Sequence, residues 1–65
     1  MQINQINAFL AVAELESFSL AAERLHITQP AVSSQMRQFE DWCEIKFFKK
    51  KGRRICLTDE GETLY

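Results

Sequence analysis

The sequence predicts a mainly α-helical domain of the winged helix-turn-helix type: a three-helix core, a two-stranded wing and the start of a further helix. Three observations lead there. Two amphipathic stripes, Phe18 to Leu25 and Val32 to Cys43, belong to helices expected to be separated by a three-residue turn. Strong helix-start chemistry, Thr28-Gln29-Pro30, stands at the head of the second stripe. From Ile45 the apolar period changes to that of two short strands around a glycine-containing turn.

Taken in order, Ile6, Phe9, Leu10 and Ala13 fall at i, i+3, i+4 and i+7, one face of a first helix with Asn4 as its expected N-cap. It should end near Glu14–Glu16, where acid opposes the helix dipole, and Ser17 offers a new start. Phe18, Ala21, Ala22 and Leu25 repeat the stripe over a short second helix. Its alanines allow a neighbouring helix to approach closely. In the third helix, Val32, Met36, Phe39 and Cys43 line one face, while Gln29, Ser33, Ser34, Arg37 and Gln38 make the other polar and almost free of acid until Glu40. The wing is expected as Phe47 to Lys50 and Arg53 to Leu57 around Lys51-Gly52, with Ile55 and Leu57 turned toward the helices. Thr58 should cap a last helix carrying Asp59 and Glu60 in its first turn, cut off at Tyr65 as in a fragment of a longer chain. The expected division is therefore a domain over 1–58 and the start of another helix over 59–65.

A chain of 65 residues leaves little room for a catalytic cavity beside its core. No acid pair, nucleophile–base pair or glycine-rich phosphate loop stands out, so no enzyme is expected. The apolar run from Ala8 to Ala13 is too short to span a bilayer, no secretory signal is visible, and a cytoplasmic location is the expectation. Cys43 and Cys56 lack CxxC spacing and have only His26 for company, which predicts reduced structural thiols and neither metal nor cofactor. His26 reads as a turn residue. Trp42 lies off the third-helix stripe and fits either a peripheral core position or a contact surface.

The net charge of −1 hides a segregated distribution. Residues 1–45 hold two basic and six acidic side chains, whereas 46–54, Lys-Phe-Phe-Lys-Lys-Lys-Gly-Arg-Arg, hold six basic and no acidic ones. Cations on a hairpin suit a phosphodiester backbone, and Lys49 there and Arg37 on the third helix are candidate phosphate contacts. Phe47 and Phe48 are expected in the core. At the third-helix start, Gln29 offers a bidentate pair to adenine, Ser33 and Ser34 can reach a base or phosphate, and Pro30 or Ala31 can touch a thymine methyl. The other reading of the same charges is a winged helix used for protein–protein contact, its basic hairpin docking on an acidic partner.

Over its whole length the chain resembles the N-terminal domain of LysR-type transcriptional regulators. The motifs that carry the resemblance are Phe9 to Val12, Ser17-Phe18-Ser19-Leu20-Ala21-Ala22-Glu23-Arg24-Leu25-His26, Thr28-Gln29-Pro30-Ala31-Val32-Ser33, Gln35 to Glu40, Phe48, and Leu57-Thr58 with Gly61. The resemblance implies a sequence-specific DNA-binding module, with the third helix in the major groove and the wing on the backbone. It implies base contacts by Gln29, Pro30 and Ser33 with Ser34 beside them, and phosphate contacts by Ser19, Thr28, Lys50 and Arg53. It further implies double-stranded DNA with an interrupted inverted repeat as partner. A linker helix begun by 59–65 would mediate self-association, and a small-molecule effector would bind a C-terminal domain outside this sequence. Ser34 and Lys50 stand where arginine is common, Cys43 and Glu60 where leucine and alanine are common, and Glu44 where glycine is usual. Without that glycine, the third helix is expected to end by a geometry other than the left-handed cap.

Overall fold

Local capping groups punctuate the chain. The computed structural model describes residues 3–65, leaving residues 1 and 2 of the expected domain outside. It contains α1 (Ile3–Leu15), α2 (Phe18–Leu25), α3 (Gln29–Cys43), β1 (Phe48–Lys51), β2 (Arg54–Leu57) and α4 (Asp59–Leu64). Ser17, Thr28 and Thr58 are N-caps whose hydroxyl oxygens accept from the amides of Leu20, Ala31 and Gly61. Asn4 is not a cap. It lies inside α1, which already includes Ile3.

The helix ends use left-handed residues that are not glycine. Glu16, His26 and Glu44 have φ of 53°, 58° and 59°. At the end of α2, His26 N donates to Glu23 O and Ile27 N to Ala22 O; at the end of α3, Glu44 N donates to Asp41 O and Ile45 N to Glu40 O. Both are Schellman closures, which satisfy otherwise orphaned carbonyls. The expectation that α3 must exit by another geometry is therefore corrected: Glu44 itself takes the left-handed conformation, because two backbone hydrogen bonds offset its steric cost of about 1–2 kcal/mol.

The core gathers Ala8, Phe9, Ala11 and Val12 of α1, Ala21 and Ala22 of α2, Val32, Met36 and Phe39 of α3, and Phe47. Phe9 is its hub, with ring centroids 5.8 Å from Phe39, 5.6 Å from Phe47 and 5.4 Å from Phe48. Phe47 and Phe48 are thus packed as expected. The predicted face of α1 is rotated, however. Gln5, Ala8, Phe9 and Val12 are buried, whereas Ile6 and Leu10 are each 38% exposed. Trp42 is 64% exposed and belongs to the surface.

The hairpin pairs Phe48 with Leu57, Lys49 with Cys56, Lys50 with Ile55 and Lys51 with Arg54. Its two-residue turn is therefore Gly52-Arg53, one residue later than the expected Lys51-Gly52. Gly52 has φ of 66° while Arg53 stays at negative φ, so glycine occupies the first central position, the type II′ pattern that matches strand twist. Ile55 N donates to Glu16 O at 3.2 Å, and Thr58 N to Phe47 O at 2.8 Å. These bonds fasten the wing to the α1–α2 turn on one side and to the start of α4 on the other.

Candidate nucleic-acid interface

The first two turns of α3 face solvent because Val32, Met36 and Phe39 commit the opposite side to the core. Gln29, Pro30 and Ser34 are exposed and Ser33 is half-buried. Gln29 Nε2 donates to Ser33 Oγ at 2.9 Å. Ser34 Oγ accepts from Gln38 Nε2 at 3.4 Å, and Gln38 Oε1 accepts from the buried Gln5 Nε2 at 3.4 Å. Each serine oxygen is thus used as an acceptor, which leaves its proton for an outside partner. Arg37 follows one turn beyond Ser33 on the same side of the helix.

Strand alternation distributes the wing cations. Lys50 shares a face with Phe48 and Ile55, which pack on the core, whereas Lys49 and Lys51 share the other face with Arg54. Between α3 and β1 runs an open groove of about 310 Å³ whose polar lining is Ser33, Arg37, Glu40, Lys46, Lys49 and Lys50. A larger concavity on the far side of the wing, about 880 Å³, mixes Lys51 and Arg54 with Glu16, Asp59 and Glu62 and has no single sign.

Ion pairs thin the cations out. Arg24 pairs with Glu14 at 2.9 Å, Arg54 with Glu16, and Lys46 with Glu40 at 3.9 Å. Among the described residues, no ion pair engages Arg37, Lys49, Lys50, Lys51 or Arg53. Their charge remains available to an anionic partner.

Of the ten residues singled out from sequence, the structure brings Ser33, Arg37, Lys49 and Lys50 to one groove, with Gln29, Pro30 and Ser34 on the helix above it. Ser19, Thr28 and Arg53 do not line that groove. Ser19 is exposed in the first turn of α2, Thr28 Oγ1 is engaged by the Ala31 amide, and Arg53 sits in the hairpin turn. Sequence reasoning missed Lys46 and Glu40. Lys46 was legible as the first cation of the basic run, whereas Glu40 stood out only as the end of the Gln35 to Glu40 motif, with no contact attached to it.

Among the described residues, no cluster of three or more His, Cys, Asp or Glu could hold a metal ion, and no helix is long and apolar enough to cross a membrane. Cys43 and Cys56 are free thiols, both half-buried.

A tri-helical core, a two-stranded wing and an exposed polar helix start beside unpaired cations define a winged helix-turn-helix DNA-binding domain. The family model of bacterial regulatory helix-turn-helix proteins, lysR family, matches residues 3–62, and the chain belongs to that family. It is the DNA-binding domain of a LysR-type transcriptional regulator. The chain is 51% identical over 61 residues to the HTH-type transcriptional regulator YxjO of Bacillus subtilis, covering 94% of this chain and 21% of that protein. It is 50% identical over 62 residues to the HTH-type transcriptional regulator TrpI of Pseudomonas aeruginosa, covering 95% of this chain and again 21% of the relative. The chain thus spans about a fifth of the length of these two relatives. The BenM DNA-binding domain, solved in complex with benA site 1 DNA, superposes with a TM-score of 0.95 at 34% identity, over 100% of this chain and 73% of that one.

Proposed function

We propose that this domain recognises an interrupted inverted repeat in promoter DNA, with the start of α3 in the major groove and the wing along the phosphate backbone. Gln29, Pro30, Ser33 and Ser34 read bases; Ser19, Thr28, Arg37, Lys49, Lys50 and Arg53 hold phosphates. Residues 1–58 form the reading domain, and 59–65 begin a linker helix through which two copies associate in the whole regulator. An effector-binding domain beyond this sequence takes a small molecule, and the protein works in the cytoplasm by binding and not by catalysis.

The observation that carries this reading is the groove between α3 and β1. Ser33, Arg37, Lys49 and Lys50 line it together, and among the described residues no ion pair engages these three cations. The DNA complex of the related BenM domain supports the same assignment.

A salt titration against duplex DNA tests it. Three or four phosphate contacts per domain predict a slope of log K against log salt of about −3 to −4. Absence of DNA binding at low salt would reverse the reading in favour of a wing that docks on an acidic protein.

A further inference from the structure

An acid in a phosphate-binding groove works against the groove's field. Glu40 is such an acid, and its side chain is only 14% exposed. It lies three residues beyond Arg37 and seven beyond Ser33, on the same side of α3. Its carboxylate is turned away from the helix start to the foot of the wing. Oε2 accepts from Phe47 N at 2.7 Å and from Phe48 N at 3.4 Å, while Oε1 is 3.9 Å from Lys46 Nζ. The peptide gripped there is also held from its other side, since Phe47 O accepts from Thr58 N and Lys46 O from Thr58 Oγ1 at 2.6 Å. Phe47 is buried between the rings of Phe9 and Phe39. Charge-assisted bonds from one carboxylate to two successive amides are short-range and directional. They fix where β1 begins relative to the recognition helix.

We propose that Glu40 is a positioning residue for DNA recognition: by tying the Phe47 and Phe48 amides to α3, it sets the distance between the base-reading side chains and the wing cations. The two sets then reach one duplex together. This rests on the reading of α3 and the wing as the DNA-binding surface.

The test combines salt titration with mutant cycles. Removal of the carboxylate in Glu40→Ala should make the salt slope shallower by about 2, because each lost phosphate contact contributes about 0.9. In that background Lys50→Ala should no longer weaken binding, whereas Gln29→Ala should keep its full penalty at the cognate site. Glu40→Gln retains a carbonyl oxygen able to accept from both amides, so it should restore the Lys50 effect, with a slope no shallower than that of the unmodified protein because the same change releases Lys46 from its ion pair. If Glu40→Ala does not fold, Glu40→Asp is read the same way, since its shorter side chain cannot reach both amides. A folded variant with an unchanged slope and an undiminished Lys50 effect overturns the proposal and leaves Glu40 as a stability residue. A different result marks failure of the underlying reading: Lys50→Ala and Arg53→Ala without effect in the unmodified protein.

Discussion

The side-chain amide of Gln29 donates to the hydroxyl of Ser33, one turn further along α3, at 2.9 Å. Among the described residues no hydrogen bond engages Gln29 Oε1, so an acceptor stands beside the Ser33 proton and a second amide proton. That mixed set suits adenine, whose major-groove edge shows an N6 donor and an N7 acceptor. Gln29→Ala should therefore cost about 1–3 kcal/mol at a cognate site and leave random duplex almost unaffected. Titration of both duplexes at one salt concentration checks this. Equal behaviour on the two would remove Gln29 from base readout.

Glu16 and Arg54 form an ion pair between the α1–α2 turn and the wing, with 36% and 72% of their side chains exposed. Neutralising the acid in Glu16→Gln releases Arg54, while the Ile55 N to Glu16 O bond still fastens the strand. Affinity for random duplex should rise, and the salt slope should steepen by about 0.9. An unchanged slope would show that Arg54 does not reach phosphate.

Glu44 closes α3 at a φ of 59°, is exposed, and makes no ion pair among the described residues. Glycine meets no steric penalty in that conformation. Glu44→Gly should stabilise the domain by about 1 kcal/mol, equivalent to roughly 4–8 °C in Tm for a domain of this size. Calorimetry decides it; a lower Tm would mean that the Glu44 side chain contributes to the fold.

Gly61 is buried against the foot of the wing. A Cβ there would collide with the Phe47 carbonyl oxygen and stand 2.9 Å from Leu57 Cδ2. Because the oxygen already accepts from Thr58 N, neither backbone can yield easily. Gly61→Ala should destabilise by about 1–3 kcal/mol, read as a shifted denaturant midpoint. No shift would mean that α4 is free to slide.

The third helix was the most legible element. Thr28 before Gln29-Pro30 has no rival as a start, and Val32, Met36 and Phe39 allow only one buried face. The first helix was ambiguous, because Phe9 belongs to two overlapping stripes, 6-9-10-13 and 5-8-9-12. The choice falls to the second stripe, where Ala8 and Val12 join the alanines Ala21 and Ala22 in the core and Gln5 reaches Gln38. Ile6 and Leu10 are left at the surface. Hydrophobicity alone prefers the first stripe; helix–helix fit selects the second. In the wing, glycine at the first turn position shifted the turn by one residue.

Within the candidate interface, the polar helix start from Gln29 to Ser34 and the charge segregation that puts six cations between Lys46 and Arg54 can be read without any structure. Both are local properties, fixed by spacing and composition. Which cations stay out of ion pairs among the described residues depends on the folded chain, since Arg54 and Lys46 meet Glu16 and Glu40, partners distant in sequence or hidden on another element. The same folding brings an acid in the last turn of α3 to the Phe47 and Phe48 amides at the foot of the wing. Hydrogen bonds between a side chain and a remote backbone leave no periodic trace in sequence, so Glu40 became visible only once α3 and β1 were folded together.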